Sequence, residues 1–129
     1  MFKRKLAVIG LAIGFAFASG TAFADGDAKK GEKVYKKCKV CHSIKKGEQK
    51  IGPSLAGIYG KKAGQVKGFK KYKALKGVNF KWDEDNLEDW VKNQKDFLKD
   101  KGIKKKTGMR VKIKKEKDRE NLVAYLKTL

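Results

Sequence analysis

Apolar positions along this chain form one uninterrupted block and then three helical stripes, separated by segments without a period. The block is N-terminal. Residues 6–17 carry no charge, follow Lys3, Arg4 and Lys5, and precede the small-x-small run Ala22-Phe23-Ala24 and the polar Asp25. That order reads as a secretory signal peptide over residues 1–24, cleaved after Ala24. An uncleaved anchor is the competing reading, because residues 6–24 approach the ~20 that a spanning helix needs; Ser19, Gly20 and Thr21 interrupt it. No second long apolar run follows. Residues 25–129 are therefore expected to form one small, soluble domain without stable membrane insertion.

The first stripe is Gly31, Val34, Tyr35 and Cys38, spaced by threes and fours, which predicts a helix over residues 28–39. The second starts at Asp83, a favourable N-cap, with Glu84 and Asp85 in its first turn and Leu87, Trp90 and Val91 on its apolar face. Asn93 lies near its end. The third begins within residues 116–118 and buries Leu122, Val123, Tyr125, Leu126 and Leu129. Between the first two, residues 47–68 hold six glycines and the chain's one proline, Pro53. Glycine permits tight turns and close approach, so such a segment can wrap a flat ligand. Nothing alternates with a period of two. The expectation is an all-α domain of three main helices with long loops.

Charge narrows the partners. The chain has 34 basic and 14 acidic residues, a net charge of +20. The leader holds three of the bases and no acid, so its removal leaves +17. Such a balance fits acidic proteins, anionic membranes or nucleic acid. Export argues against nucleic acid. Long-range steering toward an acidic protein face fits a diffusing carrier.

The candidate chemistry sits in one run. Cys38-Lys39-Val40-Cys41-His42 contains both cysteines and the single histidine, and Met109 is the one methionine besides Met1. Cys-x-x-Cys-His reads as a c-type haem attachment site. Two thiols bond to the haem vinyl groups, the imidazole ligates iron from one side, and a thioether can close the other side, as in electron-transfer cytochromes. Other readings stand beside this one. A structural zinc site needs four ligands, and Cys and His supply three here. A redox dithiol wants a βαβ context that is missing. A plain Cys38–Cys41 disulfide fits an oxidising compartment but explains neither His42 nor Met109. Met109 itself could be a core methionine.

From residue 28 onward the chain resembles a bacterial class I cytochrome c, specifically the exported type with a lysine-rich loop (here 99–106) before the methionine. The resemblance rests on Gly31-Glu-Lys-Val-Tyr35, Cys38-Lys-Val-Cys-His42, Gly52-Pro-Ser-Leu55, Trp82, Lys106-Thr-Gly-Met109 and Asn121-Leu-Val-Ala-Tyr-Leu126. It implies the small cytochrome c fold around one covalent haem c. Cys38 and Cys41 would carry the thioethers, and His42 and Met109 would be the axial iron ligands. The backbone carbonyl of Pro53 would orient His42. Trp82 would bond a haem propionate, and Lys61 falls where a basic residue neutralises one. Gly31 and Tyr35 would meet Leu122 and Tyr125 across a close helix contact.

The chain departs from the pattern at Gln94, where a proline is common, and at Val111, where an aromatic residue is common. Trp90 stands where relatives have a tyrosine near the sulfur, and Tyr72 is one residue from the usual spacing. The resemblance implies a periplasmic, monomeric electron carrier rather than an enzyme. Its donor and acceptor would be membrane complexes such as a quinol–cytochrome c reductase, a terminal oxidase or a photosynthetic reaction centre. Lys36, Lys37 and Lys39, and Lys104 to Lys106, Arg110 and Lys112, would ring the exposed haem edge and dock on acidic faces.

Overall fold

A computed structural model describes residues 26–129; the leader and its cleavage site lie outside the described residues. Four helices occur in the order α1 (Ala28–Tyr35), α2 (Glu84–Lys92), α3 (Gln94–Asp100) and α4 (Glu116–Leu126). Among the described residues, extended pairing is limited to a single antiparallel bridge between Lys62 and Lys81. The expected all-α architecture is therefore observed, with one helix more than the sequence pattern predicts.

α1 and α4 pack against each other and form the frame. The Asp27 carboxylate caps α1 by accepting from the amides of Lys29 and Lys30, and its own amide donates to Asn121 Oδ1 at 2.8 Å. Gly31 is required at the crossing. A Cβ there would lie 1.9 Å from the Asn121 carbonyl oxygen, which is backbone and cannot swing aside. Tyr35 and Tyr125 follow along the contact with ring centroids 5.4 Å apart. Leu122, Val123 and Leu126 are buried as expected; Tyr125 and Leu129 are half-buried.

α1 ends at Tyr35, four residues earlier than the stripe predicts. The chain goes on in turns: the amides of Cys38 and Lys39 both donate to Tyr35 O, and those of Cys41 and His42 to Cys38 O. These turns keep helical spacing locally, which is why Cys38 continued the stripe.

α3 was hidden from the pattern. Asn93 closes α2 and its side chain then accepts from the Asp96 amide, so one residue ends one helix and starts the next. Phe97 and Leu98 bury α3 against the rest of the protein. Phe97 joins Phe80, Trp82 and Trp90 in an aromatic cluster with neighbouring centroids 5.2 to 6.1 Å apart. α4 lacks a side-chain N-cap bond from Lys115. The buried Arg119 guanidinium instead donates to the carbonyls of Ile113 and Lys114, tying the entry of α4 to the segment before it.

Candidate haem site

A cavity of about 390 Å³ opens between the turns after α1, the glycine-bearing loops, α2 and the segment before α4. Cys38, Cys41, His42, Pro53, Trp82 and Met109 all line it. Leu55, Ile58, Leu75, Leu87 and Val91 give it a largely apolar wall.

The histidine wall is built from short-range bonds. His42 Nδ1 lies 2.7 Å from the Pro53 carbonyl oxygen. A carbonyl only accepts, so Nδ1 carries the proton and Nε2 keeps a free lone pair. Gly52 runs directly beside the ring, where a Cβ would lie 2.3 Å from Cε1. The Gly52 amide donates to Cys41 O at 2.7 Å and the Leu55 amide to Ser43 O at 2.8 Å, which stitches the two segments together on either side of the imidazole. The Tyr35 hydroxyl donates to His42 O at 3.1 Å. Burial lowers the His42 pKa, the bond to Pro53 opposing it, so the imidazole is held neutral as a metal ligand must be.

Cys38 and Cys41 are free thiols. Burial, with a smaller contribution from Cys41, pushes the Cys38 thiol up to about 11. A thiol raised in this way does not suit the attacking role in a redox dithiol, which calls for a thiolate. Among the described residues no group of three or more Cys, His, Asp and Glu side chains could hold a metal, which leaves the zinc reading without its ligand set.

The methionine wall depends on longer reaches. Trp90 Nε1 donates to Met109 Sδ at 3.1 Å. Gln94 Nε2 donates to Val111 O at 2.6 Å, and the Ile113 amide to Val91 O at 2.8 Å. Thr107 Oγ1 accepts from the Met109 amide at 3.2 Å. Tyr72 also lines the cavity; its hydroxyl accepts from the Val66 amide at 3.1 Å, and burial raises its pKa.

Lys61 does not line the cavity. It is exposed, and its ammonium donates to Ala56 O at 3.3 Å. Its backbone is nevertheless paired with Trp82, whose amide donates to Lys61 O at 2.8 Å.

The residues present fit a covalently held, axially ligated haem: two thiols, an oriented neutral imidazole and a thioether share one apolar cavity. The cytochrome c family model matches residues 28–129. The chain belongs to the cytochrome c family. It is 39% identical to cytochrome c2 of Rhodospirillum rubrum over 133 aligned positions, covering 98% of each chain. It is 41% identical to cytochrome c of Gibberella zeae over 106, covering 81% of this chain and 95% of that one. The solved structure of cytochrome cH from Methylobacterium extorquens superposes with a TM-score of 0.69 at 32% identity, covering 81% of this chain and all of the other. Membership brings one covalent haem c and one-electron transfer as the function of the domain.

Two contributions escaped sequence reasoning. Gly52 was visible as part of Gly-Pro-Ser-Leu, but its contact with the imidazole was not. The inward bond of Gln94 had one signal, a polar residue standing where a proline is common.

Proposed function

We propose that this cytochrome c is a periplasmic, soluble, monomeric electron shuttle that holds no substrate of its own. Cys38 and Cys41 would carry the haem thioethers, and His42 and Met109 would ligate its iron. With both ligands supplied by the chain, the bound group would offer one-electron chemistry and no place for a substrate. When bound, the haem supplies that Fe(II)/Fe(III) couple; the chain's residues set its surroundings. His42 is oriented by Pro53, and the apolar wall excludes water. Trp82 bonds a propionate, while Lys61 neutralises one from outside the cavity. The observation that carries this reading is the Nδ1–Pro53 bond, which leaves Nε2 free in a cavity that also holds Met109.

Partners are acidic faces of donor and acceptor membrane complexes. Lys36, Lys37, Lys39, Lys104, Lys105 and Lys106 are exposed beside the two ligand-bearing segments. Val40 and Ile51, on the segments around the first of these groups, are 76% and 68% exposed. Bonds from the Lys50 ammonium to Lys39 O and from the Gly52 amide to Cys41 O bring their two segments side by side. An apolar spot with a basic rim suits brief, salt-sensitive docking.

The leader is removed after Ala24, a reading supported by the small-x-small run Ala22-Phe23-Ala24 ahead of the polar Asp25. Intact mass of the protein made in a host with c-type haem maturation tests the reading. The expected mass is residues 25–129 plus one haem, unchanged by denaturation. A bare chain two hydrogens lighter would mean a disulfide and would overturn it.

A further inference from the structure

Gln94 is 2% exposed, a degree of burial unusual for glutamine unless its amide is fully bonded. It opens α3, yet its side chain turns inward. Nε2 donates to Trp90 O at 2.7 Å and to Val111 O at 2.6 Å, using both of its hydrogens. Trp90 is the residue whose indole donates to Met109 Sδ, and Val111 is two residues past Met109. The bonds close a ring that runs from Gln94 through Trp90 and Met109 to Val111 and back.

Among the described residues, two hydrogen bonds join residues 104–112 to the rest of the protein: Trp90 to Met109 and Gln94 to Val111. The segment also carries Lys104, Lys105, Lys106, Arg110 and Lys112, all exposed. Their mutual repulsion favours lifting it away from a basic protein. We propose that Gln94 is the positioning residue for the methionine ligand: it latches residues 104–112 to the α2–α3 junction and sets how readily the thioether leaves the iron. The proposal rests on Met109 being the distal ligand. A glutamine does this where a proline could not, because the latch requires a side-chain donor that reaches two carbonyls at once.

The test is displacement of the methionine by imidazole in the ferric holoprotein, followed by the iron–thioether charge-transfer band. Gln94→Leu keeps the volume and removes both donors. It should bind imidazole about tenfold more tightly than wild type, since the loss of two buried bonds shifts the closed segment toward the open one. Gln94→Asn keeps an amide in the same pocket but is one methylene too short for both carbonyls. It should fall between the two, and it carries the test if the leucine variant does not mature. Gly31→Ala, which strains the α1–α4 contact, should leave imidazole affinity unchanged and so separates latching from general destabilisation. Wild-type affinity in both Gln94 variants, or an equal rise in Gly31→Ala, would overturn the latch. A wild-type holoprotein without the band, with the imidazole affinity of Met109→Ala, would overturn the ligand reading beneath it.

Discussion

The two walls of the haem site are held in different ways. On the histidine wall, the bonds that fix His42 and its neighbours reach at most twelve residues along the chain, from Tyr35 through Cys41 and Ser43 to Pro53 and Leu55. On the methionine wall, Trp90 reaches nineteen residues to Met109 and Gln94 seventeen to Val111. The first wall is a local stitch that forms with little loop closure. The second is a long loop pinned at a few points, whose ordering cost falls on those pins. Damage to the histidine wall should therefore disrupt the site, whereas damage to the methionine wall should tune it.

The strongest test strikes the histidine wall. In Gly52→Ala the new methyl would fall 2.3 Å from His42 Cε1 and 2.7 Å from Nδ1. The ring cannot retreat without breaking its bond to Pro53, and with it the orientation proposed for ligating the iron. We expect a loss of about 3 kcal/mol in denaturant unfolding, near the upper end of what overpacking costs, and a disturbed low-spin haem spectrum. A wild-type midpoint and spectrum would show that this wall is softer than its bonding implies.

Gly31→Ala strikes the frame that both walls share. Its Cβ would meet Asn121 O at 1.9 Å, so α1 and α4 must separate. The expected cost is about 2 kcal/mol, read from the same unfolding curve. The haem spectrum and the reduction potential should stay at wild-type values. A changed potential would mean that the frame, and not the walls alone, sets the ligation.

The same contrast explains what could be read from the sequence. Cys38, Cys41 and His42 fall within five consecutive positions, so their chemistry shows as a motif. The α1–α4 contact shows because each face has its own stripe. Met109 was identifiable as the one spare methionine, and the resemblance put Trp90 near its sulfur, but nothing in the pattern places Gln94 against that segment. The Gln94 contact depends on α3, which is only seven residues long and shares Asn93 with α2. A helix that short has barely two turns in which to show a period. Trp82 and Lys61 illustrate the same limit. Both were singled out, and the backbone pairs them, yet only one side chain reaches the cavity. Pattern locates a residue along the chain; its direction is set by what packs around it.

Trp90→Phe tests tuning at the methionine wall. The ring volume is nearly kept, and the indole N–H that donates to Met109 Sδ is lost. Were Met109 the iron ligand proposed above, a thioether freed of that bond would give more electron density to the iron and so stabilise the ferric state. One hydrogen bond contributes about 1 kcal/mol. For a one-electron couple that corresponds to a potential lower by about 40 mV, measurable by redox titration. An unchanged or higher potential would mean that the bond does not persist once the sulfur is ligated.

The smallest effect marks where both walls stop mattering. Glu88, partly buried on α2, has its pKa raised above the ordinary 4.5, first by burial and then by Glu120 and Glu84, while Arg119 opposes the shift. Asp85 adds to the same repulsion. A raised carboxyl pKa means that the folded protein holds this proton more tightly than the unfolded chain does. The stabilisation from the protonated form is complete below 4.5 and disappears as pH rises through the folded value. At pH 7 the charged carboxylate is therefore a mild liability, and Glu88→Gln removes it. The variant should be slightly more stable than wild type at pH 7, solvent screening of this partly exposed carboxylate holding the gain below about 0.5 kcal/mol. Near pH 4 the carboxyl is largely protonated and the advantage should vanish. Potential and imidazole affinity should match wild type at both values, because Glu88 is bonded to neither wall. Equal unfolding midpoints for the two proteins at pH 7 would show that Arg119 already cancels the conflict.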